Sequence, residues 1–206
     1  MAMNGRCLRP EFTHQLIELL QQGKNINLIS PHGQGRRRTL QDLRSTLAKS
    51  WRVFQVDMRD IEKHGLTILD VLLKQAKIEK LPNIQEFTLK MNKTSIYHLI
   101  IIHNYQFLRD LNVISSLNEI EQYPYVSLLC VSEEKQQHSA LIADDYILPA
   151  VTSQQLLVEI NRRDLALQQG DGVLLVDFLL HQAAPYSLLD AKPASWFTDG
   201  LWKSEI

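Results

Sequence analysis

Two cysteines in 206 residues are too few for a disulfide framework. Of the pair, Cys7 and Cys130, the second sits inside the apolar run YVSLLCVS, where an inert core thiol is expected. No apolar run approaches the roughly 20 residues that cross a bilayer. The N-terminus MAMNGRCLRPEFTH lacks the apolar centre of a secretory leader. Neither sign of charge is in excess: 22 basic residues face 23 acidic ones, for a net charge of −1, which excludes a global nucleic-acid field. There is no internal repeat and no low-complexity segment. No Cys/His cluster has zinc spacing, and no nucleophile elbow, paired-carboxylate site or Cys/His couple is present. The default expectation is a cytoplasmic protein with no membrane segment and no metal.

What is present is the material of a core. The chain is 45% hydrophobic and 22% charged, enough for one α/β domain or a core with a small appendage. Residues 9–22 read as a helix, with Phe12, Leu16, Leu19 and Leu20 on one face and Gly23 closing it. The run at 26–29 is a short buried strand, and WRVFQVDMRD a second one built on Val53, Phe54, Val56 and Met58. Helices are expected at GLTILDVLLKQAK and from Pro82 to about Lys93. SIYHLIIIHNY is the strongest strand, because its unbroken Leu99–Ile102 run implies burial on both faces, as in a parallel sheet. A helix at 110–121, the strand YVSLLCVSE and a short fifth strand, DDYILP, follow. Asp144–Asp145 reads as a solvated turn. From Thr152 to about Ala191 the chain reads as helical, interrupted at Gly170–Gly172 and near Pro185.

Strands alternating with helices, each strand a solid apolar run, predict a parallel α/β sheet flanked by helices with a C-terminal helical lid. The turn at Leu148–Pro149–Ala150 divides a core over 1–150 from a lid over 151–206.

Residues 26–44, INLISPHGQGRRRTLQDLR, carry the most information. A strand, a glycine-bearing turn and an amphipathic helix form the frame of a phosphate-binding loop, G-x-x-x-x-G-K-S/T. Gly35 falls on the second glycine, Ser30 on the first, Arg36 on the lysine and Arg37 on the hydroxyl residue. His32, Gly33 and Gln34 fill the turn between. Arg36, Arg37 and Arg38 then crowd a helix N-terminus, where the dipole is already positive and N–H groups lack partners. Each such charge costs up to ~1 kcal/mol, and a docked anion reverses the sign. From Arg36 to Arg52 six basic residues accompany one acid, Asp42.

In order and spacing, nearly all of this chain resembles AAA+ ATPases, most closely their STAND and Orc/Cdc6-like relatives. RPEFTHQLIELLQQGKNINLISPHGQGRRRTLQDL is similar to that group's opening, LIIIHNY stands where the Walker B strand would be, and YVSLLCVS resembles the sensor-1 strand, with Ser132 at the polar position. Ala183–Leu189, AAPYSLL, is similar to the group's glycine-glycine-x-proline turn. The departures decide what the resemblance implies. Arg36 keeps the loop charge but is planar and longer than lysine. Arg37 has no acceptor for Mg²⁺. Thr39 has a hydroxyl, two residues too late. The Walker B acids are replaced by His103–Asn104, a poor Mg²⁺ ligand and an amide that cannot act as base. No arginine lies between Glu133 and Asp145, where a trans-acting finger often sits. A positioned base contributes ~10²–10⁴ in rate and the metal several kcal/mol, so negligible ATPase activity is expected and Mg²⁺ is disfavoured.

Four functions follow from this. The first is a regulatory or scaffolding module that holds ATP, ADP or another phosphate-bearing ligand through Ser30, His32, Gly33, Gln34, Gly35, Arg36, Arg37, Arg38, His103, Asn104 and Ser132, without turnover. The second is a ligand-free module docking on a protein partner, or on a second copy, through the arginines. The third is an accessory nucleic-acid-binding subunit within a complex, using Arg36–Arg52. The fourth is an enzyme whose arginines replace the metal. Trp196, Phe197, Leu201 and Trp202 form an apolar end that packs on the domain or on a partner. Val173–Leu180 is too apolar for a lone surface helix.

Overall fold

The computed structural model describes residues 7–47, 51–94, 96–135, 141–163 and 171–181. The expected features at Ala183–Leu189, at Pro185 and at Trp196, Phe197, Leu201 and Trp202 lie outside these residues. Described elements run α1 (Pro10–Gln21), β1 (Ile26–Ile29), α2 (Arg36–Thr46), β2 (Trp51–Asp57), α3 (Met58–His64), α4 (Ile68–Ala76), α5 (Ile84–Asn92), β3 (Tyr97–His103), α6 (Leu111–Asn118), β4 (Val126–Ser132), β5 (Asp144–Ile147), α7 (Ser153–Arg162) and α8 (Asp171–Leu180). The chain divides into two compact units. One holds residues 11–31 and 43–148; the other holds 1–10, 32–42 and 149–206.

The larger unit contains a five-stranded parallel sheet in the order β2-β3-β4-β1-β5. Leu99–Ile102 are fully buried, as an unbroken apolar run in a central parallel strand requires. One face carries Ile100, Ile102, Leu128 and Cys130, which pack with Leu72, Phe87, Ile114 and Leu117 from α4, α5 and α6. On alternate positions Ser127 donates to Leu20 O of α1 at 2.6 Å, so that helix covers the opposite face. Full burial pushes the Cys130 thiol pKa well above its usual range, in keeping with an inert core thiol.

Three local readings change. Met58 does not extend β2; it opens α3, because Asp57 caps the helix by accepting from Arg59 N at 2.9 Å and Gly65, at φ 61°, closes it. The helix near 110–121 ends as α at Asn118 and continues as a 3-10 turn over Glu119–Gln122. Asp144 and Asp145 lie within β5 itself, where Asp145 accepts from Asn27 Nδ2 at 2.9 Å and pairs with Lys135 at 3.0 Å.

In the second unit Leu8 joins Val151, Leu156, Ile160, Leu175, Val176 and Leu179 in a small core between α7 and α8. Thr152 and Gln155 form a capping box at the start of α7. The buried Glu159 is neutralised on that helix by Arg162 and Arg163. The outer side of α8 leaves Val173, Leu174 and Phe178 exposed.

Candidate functional site

The loop glycines do what the strand–turn–helix pattern asks of them. Gly33 and Gly35 sit at φ 77° and 76°, a left-handed conformation costly for side-chain-bearing residues. The helix begins directly after them at Arg36, and Thr39 N bonds to Gly35 O at 3.0 Å. The loop belongs to the second unit from His32 onward, as do Gly33, Gln34, Gly35, Arg36, Arg37 and Arg38.

The three arginines have separate fates. Arg38 turns along its own helix to Asp42, with Nε 2.9 Å from Oδ1 and both side chains nearly buried. That pairing removes much of the like-charge crowding at the helix start. Arg37 is exposed, as is His32, and Arg36 is half-buried.

Sequence reasoning missed the cation that holds this loop. Arg9 is 1% exposed. Its Nη2 donates to Gln34 O at 2.7 Å, its Nη1 to Thr39 Oγ1 at 2.8 Å and its Nε to Pro149 O at 2.9 Å. Thr39 Oγ1 in turn donates to Gly35 O at 3.3 Å. Beside it, Leu8 N donates to Asp42 Oδ2 at 2.8 Å. A planar guanidinium satisfies three acceptors from separate chain segments, which a lysine ammonium matches poorly.

The remaining candidate residues, Ser30, Ser132, His103 and Asn104, belong to the sheet unit. β1 and β4 stay paired to their carboxyl ends, where Ser30 N donates to Ser132 O at 2.8 Å. Both serines are fully buried, and Ser132 Oγ reaches Asn27 Oδ1 at 3.4 Å. At the end of β3, His103 is in register with Asp57 of β2 and Val131 of β4. His103 Nε2 lies 3.3 Å from Gln55 Oε1. Asn104 adopts φ 55° and donates from Nδ2 to Asp57 Oδ1 at 2.8 Å. Its Oδ1 is buried with no hydrogen-bond partner. Arg59 lies 3.9 Å from Glu133 and packs over the Phe107 ring at 5.3 Å. Acids at this edge therefore come from β2 (Asp57) and from the residue after β4 (Glu133), not from β3, and Asp57 is engaged by Asn104 and by Arg59 N. Among the described residues no group of three or more His, Cys, Asp or Glu side chains is arranged to hold a metal ion.

His98, at the other end of β3, is 2% exposed and stacks on Phe54, with ring centroids 5.9 Å apart. Burial lowers its pKa, and Arg52 adds to the effect. It is a core histidine with no part in the carboxyl edge.

A parallel sheet in this strand order, with a glycine loop leaving β1 into a helix, is the P-loop NTPase fold in its Cdc6/Orc-like form. Solved structures of similar fold include the following two. The chain is similar to a Walker-type ATPase of Pyrococcus abyssi, with 12% identity, a TM-score of 0.60, and 96% of this chain and 68% of that one covered. It is likewise similar to Cdc6p from Pyrobaculum aerophilum, at 12% identity and a TM-score of 0.59, covering 93% of this chain and 62% of that one. At such identity the likeness is one of fold. No family model and no curated protein matches the sequence.

Proposed function

We propose that this protein is a catalytically degenerate P-loop module of AAA+/STAND type, which holds ATP, ADP or another phosphate-bearing ligand without hydrolysing it and acts as a regulatory or scaffolding subunit. The observation that carries the reading is the pair at the end of β3. Where metal-binding and base carboxylates would stand, His103 contacts Gln55 and Asn104 is bonded to Asp57. The nearby carboxylate, Asp57, comes from β2 and accepts an amide and a helix N–H at Oδ1. The glycine loop, meanwhile, enters α2 through two glycines at positive φ, and N–H groups at a helix start favour an anion. Loss of base and metal ligands together removes the main sources of rate in phosphoryl transfer.

The same reading takes residues 1–150 as core and 151–206 as lid, in a cytoplasmic protein. It also gives the module a protein partner or a second copy, which the exposed apolar side of α8 favours. The two structures named above are an ATPase and a Cdc6 protein, a likeness of fold alone; a nucleic-acid role within a complex rests instead on the basic stretch Arg36–Arg52.

Titration calorimetry with ATP, ADP and GTP, with and without Mg²⁺, tests the ligand, and phosphate release tests the chemistry. Binding that is indifferent to Mg²⁺, with no phosphate released, is the expected result. Heats at baseline for every nucleotide remove the ligand; robust Mg²⁺-dependent turnover removes the degeneracy. A second reading, a ligand-free docking module, is favoured by the commitment of Arg38 to Asp42, which withdraws one guanidinium from the loop. It predicts that Arg37→Glu breaks a protein complex while no nucleotide changes stability.

A further inference from the structure

Buried in the second unit is a guanidinium to which the reading above gives no task. We propose that Arg9 is a positioning residue: it holds the 33–39 loop in its ligand-receiving shape and links that shape to the helical hairpin α7–α8, without touching the ligand. The inference rests on the reading that the loop receives a phosphate-bearing ligand.

Three observations support it. First, each of the three guanidinium nitrogens of Arg9 donates to a protein acceptor. Gln34 O and Thr39 Oγ1 lie on either side of Gly35, so the guanidinium spans from a loop carbonyl to the first turn of α2. A loop with two residues at positive φ has easy alternatives, and a buried three-way donor selects one of them. Second, the third acceptor, Pro149 O, belongs to the segment that leads into α7. Third, the neighbouring Leu8 is part of the α7–α8 core, while its N–H is held by Asp42 of α2. Two successive residues thus face the hairpin: Arg9 ties the loop to the segment leading into it by hydrogen bonds, and Leu8 ties α2 to its apolar core. Loop shape and hairpin packing are linked, and whatever stabilises one stabilises the other.

The test uses the full chain with Arg9→Met, which keeps bulk and removes the donors, and Arg9→Lys, which keeps charge but not the fork. Hydrogen exchange is read without ligand at Gly33–Arg36 and, as an internal reference, in α4 and α5. ATP and ADP affinities are read by calorimetry at a temperature where each variant is folded. Arg9→Met is expected to speed loop exchange at least tenfold, with α4 and α5 unchanged. ATP affinity is expected to fall by about tenfold or more, the scale seen when an orienting partner is removed. Arg9→Lys should fall between. If Arg9→Met does not fold, Arg9→Lys carries both readouts. Loop exchange equal to wild type, or a loss of protection spread evenly over the chain, overturns the proposal. A wild-type protein that binds neither ATP nor ADP overturns the ligand reading instead, and the hold of Arg9 on the loop is then decided by exchange alone.

Discussion

The guanidinium of Arg9 donates to the hydroxyl of Thr39 across 2.8 Å, and both residues are essentially inaccessible to solvent. Thr39 stands two positions beyond the place where a phosphate-loop hydroxyl would bind a metal. Its hydroxyl is used for architecture: it accepts from Arg9 and donates to Gly35 O. A buried donor that loses its acceptor costs about 1–3 kcal/mol, more when it is charged, and Arg9 keeps its other two acceptors.

Thr39→Val should therefore lower unfolding stability by roughly 2 kcal/mol, and Thr39→Ser by less than about 1 kcal/mol, because serine restores the acceptor. Urea denaturation measures both. Equal stabilities for the two variants would show that the hydroxyl is idle.

Asp42 serves two partners, Arg38 Nε and Leu8 N. Removing it leaves a nearly buried cation and a buried N–H together, so Asp42→Ala should cost about 3 kcal/mol. Arg38→Ala leaves Asp42 its Leu8 bond and should cost less, about 1–2 kcal/mol. In a double-mutant cycle the pair should show a coupling of roughly 1 kcal/mol or more. Additive losses would mean that the ion pair contributes nothing.

At Asn104 a backbone effect and a side-chain effect can be separated. Its left-handed conformation costs most residues ~1–2 kcal/mol, and asparagine less. Asn104→Ala loses the Asp57 bond and meets that cost, for a total of about 2 kcal/mol. Asn104→Gly loses only the bond. Glycine should be the more stable variant, and the reverse order would contradict the backbone argument.

His98 and Asp145 both contribute to the acid limb of stability. His98 is held below its usual pKa by burial, so the unfolded chain binds the extra proton first. Its contribution is complete above about pH 6.5 and is lost as pH falls through the lowered native value. His98→Phe, which keeps a ring against Phe54, should flatten the curve in that range. Asp145 is lowered by donation from Asn27, with help from Lys135 against the opposing effect of burial. Its contribution is present above about pH 3.9 and is lost as pH falls through the native value. Asn27→Ala should raise the midpoint of acid unfolding. Unchanged profiles in both variants would remove the two groups from the account.

Where the pattern was local, the sequence was readable. Leu99–Ile102 announced a central parallel strand, and Gly33 and Gly35 marked the turn before α2. The helix α3 was locally encoded too, by Asp57 at its start and Gly65 at its end, but Met58 continues the apolar rhythm of β2 and disguised the boundary. The Arg38–Asp42 pair has helical i,i+4 spacing and was equally available. Arg9 was not: its acceptors lie 25, 30 and 140 residues away, and two of them are backbone carbonyls that carry no side-chain signal. The same holds for Asp57, whose partner Asn104 is 47 residues away, just past the end of a neighbouring strand.

The arginines at the start of α2 should separate by role. Arg38 is spent on Asp42, whereas Arg37 is exposed beside the helix N-terminus, where a cation is unfavourable unless an anion is near. If the loop receives a phosphate, Arg37→Ala relieves that repulsion in the free protein and removes an attraction in the bound one. Stability without ligand should then stay the same or rise slightly, while ATP affinity falls by about fivefold or more, most strongly at low salt. Arg38→Ala should do the converse, lowering stability with a smaller effect on affinity at saturating folding conditions. Thermal unfolding with and without ATP reads both quantities for both variants. Arg37→Ala with wild-type affinity at low salt would mean that the exposed guanidinium does not face the ligand, and the anion would then be held by backbone N–H groups and Arg36.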